Sequence, residues 1–76
     1  MHNSYKNMLL FLDEYDLNIN EFYSITFSKY GFKFQGNFNS VLLQKLEDKN
    51  LKFTIRNGYV NTKILFLQVD CDITLT

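Results

Sequence analysis

Proline, tryptophan and alanine are absent from this chain of 76 residues, and cysteine and histidine occur once each. A single cysteine excludes an intramolecular disulfide and fits a reducing compartment. His2 and one thiol fall short of the roughly four nitrogen or sulfur ligands of a zinc site, so no metal is expected. Glycine is scarce too. Gly31, Gly36 and Gly58 each fall at a turn or strand end. Neither G-x-G-x-x-G nor G-K-[ST] occurs, so no phosphate cradle and no cofactor is expected. No apolar stretch approaches the roughly 20 residues that span a bilayer. The opening "MHNSYKNMLLFLDEYD" has only a short apolar run and no small-residue cleavage site, so no signal peptide is expected and the expected location is the cytoplasm.

Large side chains compensate for the small size. Eight Phe and five Tyr bring the aromatic share to 17%, within an apolar content of 46%. That argues for one folded domain over residues 1–76. Formal net charge is zero, so no global field favours nucleic acid or membrane. The charges are nonetheless segregated: residues 1–28 are acidic on balance, residues 29–63 basic, and the last stretch acidic through Asp70 and Asp72. Asn, Lys, Ile, Phe and Tyr, with their AT-rich codons, dominate the composition. This points to a low-GC bacterium, or to a phage or mobile element of one.

Residues 4–16 read as a helix, capped by Asn3 or Ser4, with Tyr5, Met8, Leu9, Leu12 and Tyr15 on one stripe. Residues 21–28 alternate, with Tyr23, Ile25 and Phe27 on one side and Phe22, Ser24 and Thr26 on the other. Gly31 then turns the chain into a second strand through Phe32 and Phe34. A second helix over 39–49 takes Asn39 as cap, Leu42, Leu43 and Leu46 as its stripe, and Asn50 as a left-handed closing residue. Leu51, Phe53 and Ile55 alternate with Lys52, Thr54 and Arg56, and Asn57-Gly58 predicts a type I′ turn. "ILFLQVDCDITLT" predicts a strand with Leu67, Val69, Cys71, Ile73 and Leu75 inward and Gln68, Asp70, Asp72 and Thr74 outward. A bulge or turn is expected near "VNTK". The resulting class is α+β, in the order α-β-β-α-β-β(-β): a small antiparallel sheet of four to five strands with two helices on one face.

Alternation also settles the D-C-D triplet. The thiol of Cys71 points into the core and the two carboxylates point away from it, so the three cannot chelate one ion. Two acids on a flat sheet offer no sugar-sized cleft for hydrolysis; they read as a solubilising face that discourages edge pairing or as a contact for a basic partner. A buried thiol likewise makes no nucleophilic pair with His2. Phe11, Phe22, Tyr30 and Phe38 fall outside the simple inward pattern, and surplus aromatics in a small domain mark either the rim of a core or an interface.

With no catalytic set, no metal set and no membrane segment, elimination leaves a non-enzymatic binding protein. The expected partner is a larger host protein or nucleoprotein complex, with a homodimer as a further possibility. The candidate contact residues are Tyr30, Phe38, Lys52, Arg56, Tyr59, Asp70 and Asp72. Size and genome type point to a phage or mobile-element inhibitor that occludes a host enzyme or defence complex, as anti-CRISPR proteins do. Two other readings stand beside it. One is a nucleic-acid-binding regulator, less favoured, which requires the Lys52/Arg56 face to be free of Asp70 and Asp72. The other is a self-assembling structural module.

Overall fold

The computed structural model describes residues 4–76, and side chains from residue 5 onward. His2 and the candidate cap Asn3 lie outside the described residues. Two helices, α1 (Ser4–Glu14) and α2 (Ser40–Asp48), accompany five strands: β1 (Phe22–Ser28), β2 (Gly31–Gly36), β3 (Thr54–Arg56), β4 (Tyr59–Phe66) and β5 (Val69–Leu75). The class is α+β, and the element order matches the expected one.

Helix α1 is two residues shorter than its periodicity predicts. Asp16 takes a left-handed φ of 54°, and the amide of Leu17 reaches back to the Leu12 carbonyl (2.8 Å). This Schellman closure satisfies carbonyls that the acidic last turn cannot. Asn18 then caps a single 3-10 turn (Ile19–Glu21), in a reciprocal capping box with Glu21. Helix α2 begins as expected: Asn39 Oδ1 accepts from the amides of Val41 and Leu42. It closes on Asn50 (φ 62°), with the Leu51 amide bonded to the Leu46 carbonyl.

The stripe that α1 buries is Met8, Phe11 and Leu12, extended by half-buried Tyr15 just past its end and rotated from the expected one; Tyr5 and Leu9 are exposed. Phe11 is fully buried, its ring 5.4–5.6 Å from those of Phe32, Phe34 and Phe66 and 4.9 Å from Tyr15. Ring pairs of this kind add about 0.5–1.5 kcal/mol each beyond the area they bury. Leu42 and Leu46 of α2 join the same cluster as Phe22, Ile73 and Leu75. Both helices therefore cover one face of the sheet.

Phe22 belongs to that core because β1 is irregular. The register with β2 shifts between Phe22 and Ser24, so a bulge carries Phe22 to the side of Ile25 and Phe27 and leaves Tyr23 exposed. One extra residue breaks the period of two on which the sequence reading relied.

The strand order is β1-β2-β5-β4-β3. Three neighbouring pairs are antiparallel, but β2 and β5 run parallel, with Phe32 beside Cys71 and Phe34 beside Ile73. The sheet is mixed, not wholly antiparallel. The helical crossover from β2 returns the chain to the same end of the sheet, and two hairpins then reverse it twice. The last strand thus runs with β2 and inserts beside it. Gly31 sits at this seam, where a Cβ would collide with the backbone of Asp70.

Residues 59–75 form two strands. The turn lies at Leu67-Gln68, not near "VNTK", and both residues are left-handed (φ 51° and 64°). Leu67, expected inward, is therefore exposed. At Asn57-Gly58 only Gly58 has a positive φ (80°), so the turn is not type I′. β3 is only three residues long, and Ile55 is exposed on it. Leu51 and Phe53 lean on the core from the segment before it.

Candidate binding surface

The face that the helices leave uncovered is built from the alternate residues of every strand. Register places Thr26, Lys33, Asp72 and Lys63 in one row across β1, β2, β5 and β4. A neighbouring row runs Ser24, Gln35, Thr74, Asn61 and Thr54. Asp70 stands between Gly31 and Leu65.

Asp72 is held by neutral donors. Asn61 Nδ2 donates to its Oδ1 at 2.6 Å, and to Thr74 Oγ1 and the Ile73 carbonyl; Thr74 Oγ1 donates to the same carboxylate at 3.3 Å. Its flanking lysines make no ion pair with it. Lys45 pairs with Glu21 (3.5 Å), away from this face. Lys33, Lys52, Arg56 and Lys63 thus present their charges to solvent.

An open groove of about 670 Å³ runs over β3, β4 and β5, lined by Lys52, Arg56, Tyr59, Asn61, Lys63 and Asp72 among others. A second depression, of about 470 Å³, lies over β1, β2 and β5, and Tyr30, Lys33, Asp70 and Asp72 border it. The expected contact residues therefore separate into two groups on one face. Lys52, Arg56 and Tyr59 share the first groove, Tyr30 and Asp70 share the second, and Asp72 borders both. Tyr30 is 67% exposed at the tip of the β1–β2 turn, with Lys29 Nζ 5.0 Å from its ring centroid, and its carbonyl accepts from the Asp70 amide (3.1 Å). Phe38 is exposed at the opposite end of the sheet, its amide bonded to the Thr76 carbonyl. Tyr23 reaches Thr76 there as well, its hydroxyl 3.5 Å from Oγ1.

Lys33, Asn61 and Lys63 were not among the residues singled out from sequence. The charge of Lys33 and Lys63 was visible, but only the β2–β5–β4 register shows that both flank Asp72.

Cys71 is buried to 1% exposure on the helix side, away from both acids. Burial pushes its thiol up to about 12, helped by the charge of Asp70 and opposed by a backbone hydrogen bond at Phe66. A thiol so held is protonated at neutral pH and a poor nucleophile. Among the described residues, no three His, Cys, Asp or Glu side chains converge as metal ligands. No helix among them is long and apolar enough to cross a membrane.

The nucleic-acid reading required a basic face free of Asp70 and Asp72. Both acids stand on that face, one of them inside the groove that Lys52 and Arg56 line. No protein family, no curated protein and no solved structure matches this chain.

Proposed function

We propose that this chain is a non-enzymatic binding protein that docks a larger protein on its open sheet face. In its most specific form the reading is an accessory inhibitor, of phage or mobile-element type, that occludes a host enzyme or defence complex. The observation that carries it is the groove of Lys52, Arg56, Tyr59 and Lys63. It combines solvent-facing cations that no carboxylate pairs with an aromatic ring and a preorganised Asn61–Asp72 network. Arg and Tyr are favoured anchors at protein interfaces. Alternating signs along the face favour a partner with a matching pattern over a polyanion. An acidic segment of that partner fits the groove, while Tyr30 and Asp70 engage a second point.

The test is reconstitution with a purified partner taken from host lysate, followed by native mass spectrometry and titration. A stoichiometric complex with a larger protein is expected. Lys52→Glu/Arg56→Glu should weaken it about tenfold or more, as should Tyr30→Ala with Asp70→Lys, with circular dichroism unchanged. A complex indifferent to both double variants would remove this face from the reading. Oligonucleotide binding that falls steeply with salt, with no protein complex, would replace it by the nucleic-acid alternative.

A further inference from the structure

The two edges of the sheet are built differently. β3 is three residues long and carries Arg56, two ordinary devices against edge pairing. β1 is seven residues long, "FYSITFS", with no charge and no proline. Its one guard is the bulge at Phe22, which leaves residues 24–28 in regular register with β2.

The direction of the free backbone groups on that edge follows from β2. The Tyr30 carbonyl accepts from the Asp70 amide, and the Gly36 carbonyl from the Thr76 amide (3.0 Å). In the parallel ladder this turns the groups of Phe32, Phe34 and Gly36 toward β5, and those of Gly31, Lys33 and Gln35 toward β1. Their partners Ser28, Thr26 and Ser24 are satisfied there. The N–H and C=O groups of Ile25 and Phe27 therefore point outward from the edge.

We propose that β1 is a self-association edge, on which a second copy of this chain pairs antiparallel about a two-fold axis at Thr26. In that register Ile25 of one copy exchanges both backbone hydrogen bonds with Phe27 of the other, and the reverse. Ile25 and Phe27 lie on the helix side of the sheet, yet Phe27 is 43% exposed. Each would cover the other across the dyad as an aromatic–β-branched pair. Thr26 meets Thr26 on the open side, and Ser24 meets Ser28. Charge fits this orientation: Glu21 precedes the strand and Lys29 follows it. In this register Lys29 of one copy falls beside Tyr23 of the other, two residues from Glu21, which its own chain already pairs with Lys45, and no like charges meet within residues 21–29. The dimer is one continuous sheet of twice the width, with a groove at each far end.

Thr26→Glu tests the dyad without threatening the fold, because Thr26 stands beside Lys33 in the same chain and a carboxylate is favourable there. In the dimer the same change sets two carboxylates against each other. Sedimentation equilibrium of the wild-type chain should show mass rising from 9.1 kDa toward twice that value as concentration increases. Thr26→Glu should weaken association about tenfold or more, and so should Thr26→Lys, whose folding beside Lys33 is checked by circular dichroism, while an equimolar mixture of the two restores it. A wild-type chain that stays monomeric at millimolar concentration overturns the proposal. So does a Thr26→Glu variant that associates as well as the wild type. Docking in the Lys52–Arg56 groove uses the opposite part of the sheet; the second docking point at Tyr30 and Asp70 borders Thr26, so self-association is measured on the chain alone, without a partner.

Discussion

Cys71 shows how little a residue's chemistry means without its surroundings. Between two aspartates it reads as a site; on a strand it is a small apolar side chain packed under α1. Its raised pKa has a consequence for stability. The folded thiol holds its proton to about 12, while an unfolded cysteine releases it near about 8.5. The contribution is complete below the lower value and is lost as pH rises through the window between them, at up to about 1.4 kcal/mol per pH unit. Burial also raises Tyr15, but an ordinary tyrosine ionises only near about 10, so the first part of the window belongs to Cys71. Urea denaturation from pH 7 to 10 should show wild-type stability falling more steeply than that of Cys71→Ala. The comparison is of slopes, since the alanine leaves a cavity at every pH. Parallel slopes would mean the thiol ionises as readily folded as unfolded.

Turns and caps divide into those that local chemistry announces and those that the fold imposes. Asn39 and Asn50 belong to the first kind: a short polar side chain accepts amide hydrogen bonds at one end of α2 and tolerates a left-handed backbone at the other. Leu67-Gln68 belongs to the second. Neither residue favours positive φ, yet pairing Phe66 with Val69 leaves two residues to reverse the strand, and a primed turn matches the strand twist. Replacing the pair by Asn-Gly should therefore stabilise the protein by about 1–2 kcal/mol. Leu67 is exposed, so no core packing is lost. Thermal unfolding checks this, and an unchanged or lower midpoint would show that the turn is not strained. The same contrast explains what was legible in the sequence. Helix α2, the first hairpin and the inward face of β5 follow from period and cap. The bulge at Phe22 does not, because it depends on where the 3-10 turn delivers the chain to β2. The orientation of α1 was hidden for a related reason. Apolar residues cover more than one side of it, and only the facing rings of Phe32, Phe34 and Phe66 select Phe11 as its centre.

Sheet order is a property of the whole molecule, and local pattern carries little of it. β5 is inward-apolar at Cys71, Ile73 and Leu75, all buried to 1%, so the centre of the sheet is where its side chains bury most. β3 carries Lys52 and Arg56 on or beside it and is tolerated at the rim. That sorting by apolar content drives the last strand between β2 and β4, and the parallel pair follows from chain direction alone. Of the candidate contact residues, it gathers Lys52, Arg56, Tyr59 and Asp72 into one groove and sends Tyr30 and Phe38 to opposite ends, a division invisible along the chain. It also sets a gradient of local stability. Opening β3 disrupts three cross-strand pairs and little buried surface, whereas opening β5 breaks ladders on both its sides and exposes the core. Hydrogen exchange should accordingly rank the amides. Phe34 and Ile73 should exchange only through global unfolding. Thr54 and Arg56, whose amides face Asn61 and Tyr59 of β4, should exchange by fraying, faster by orders of magnitude. Ile25 and Phe27 separate the two states of the β1 edge. Their outward amides should exchange freely in a dilute monomer and gain protection as concentration rises. Equal protection along β3 and β5 would mean that the molecule opens as a single unit and that its rim is no weaker than its centre.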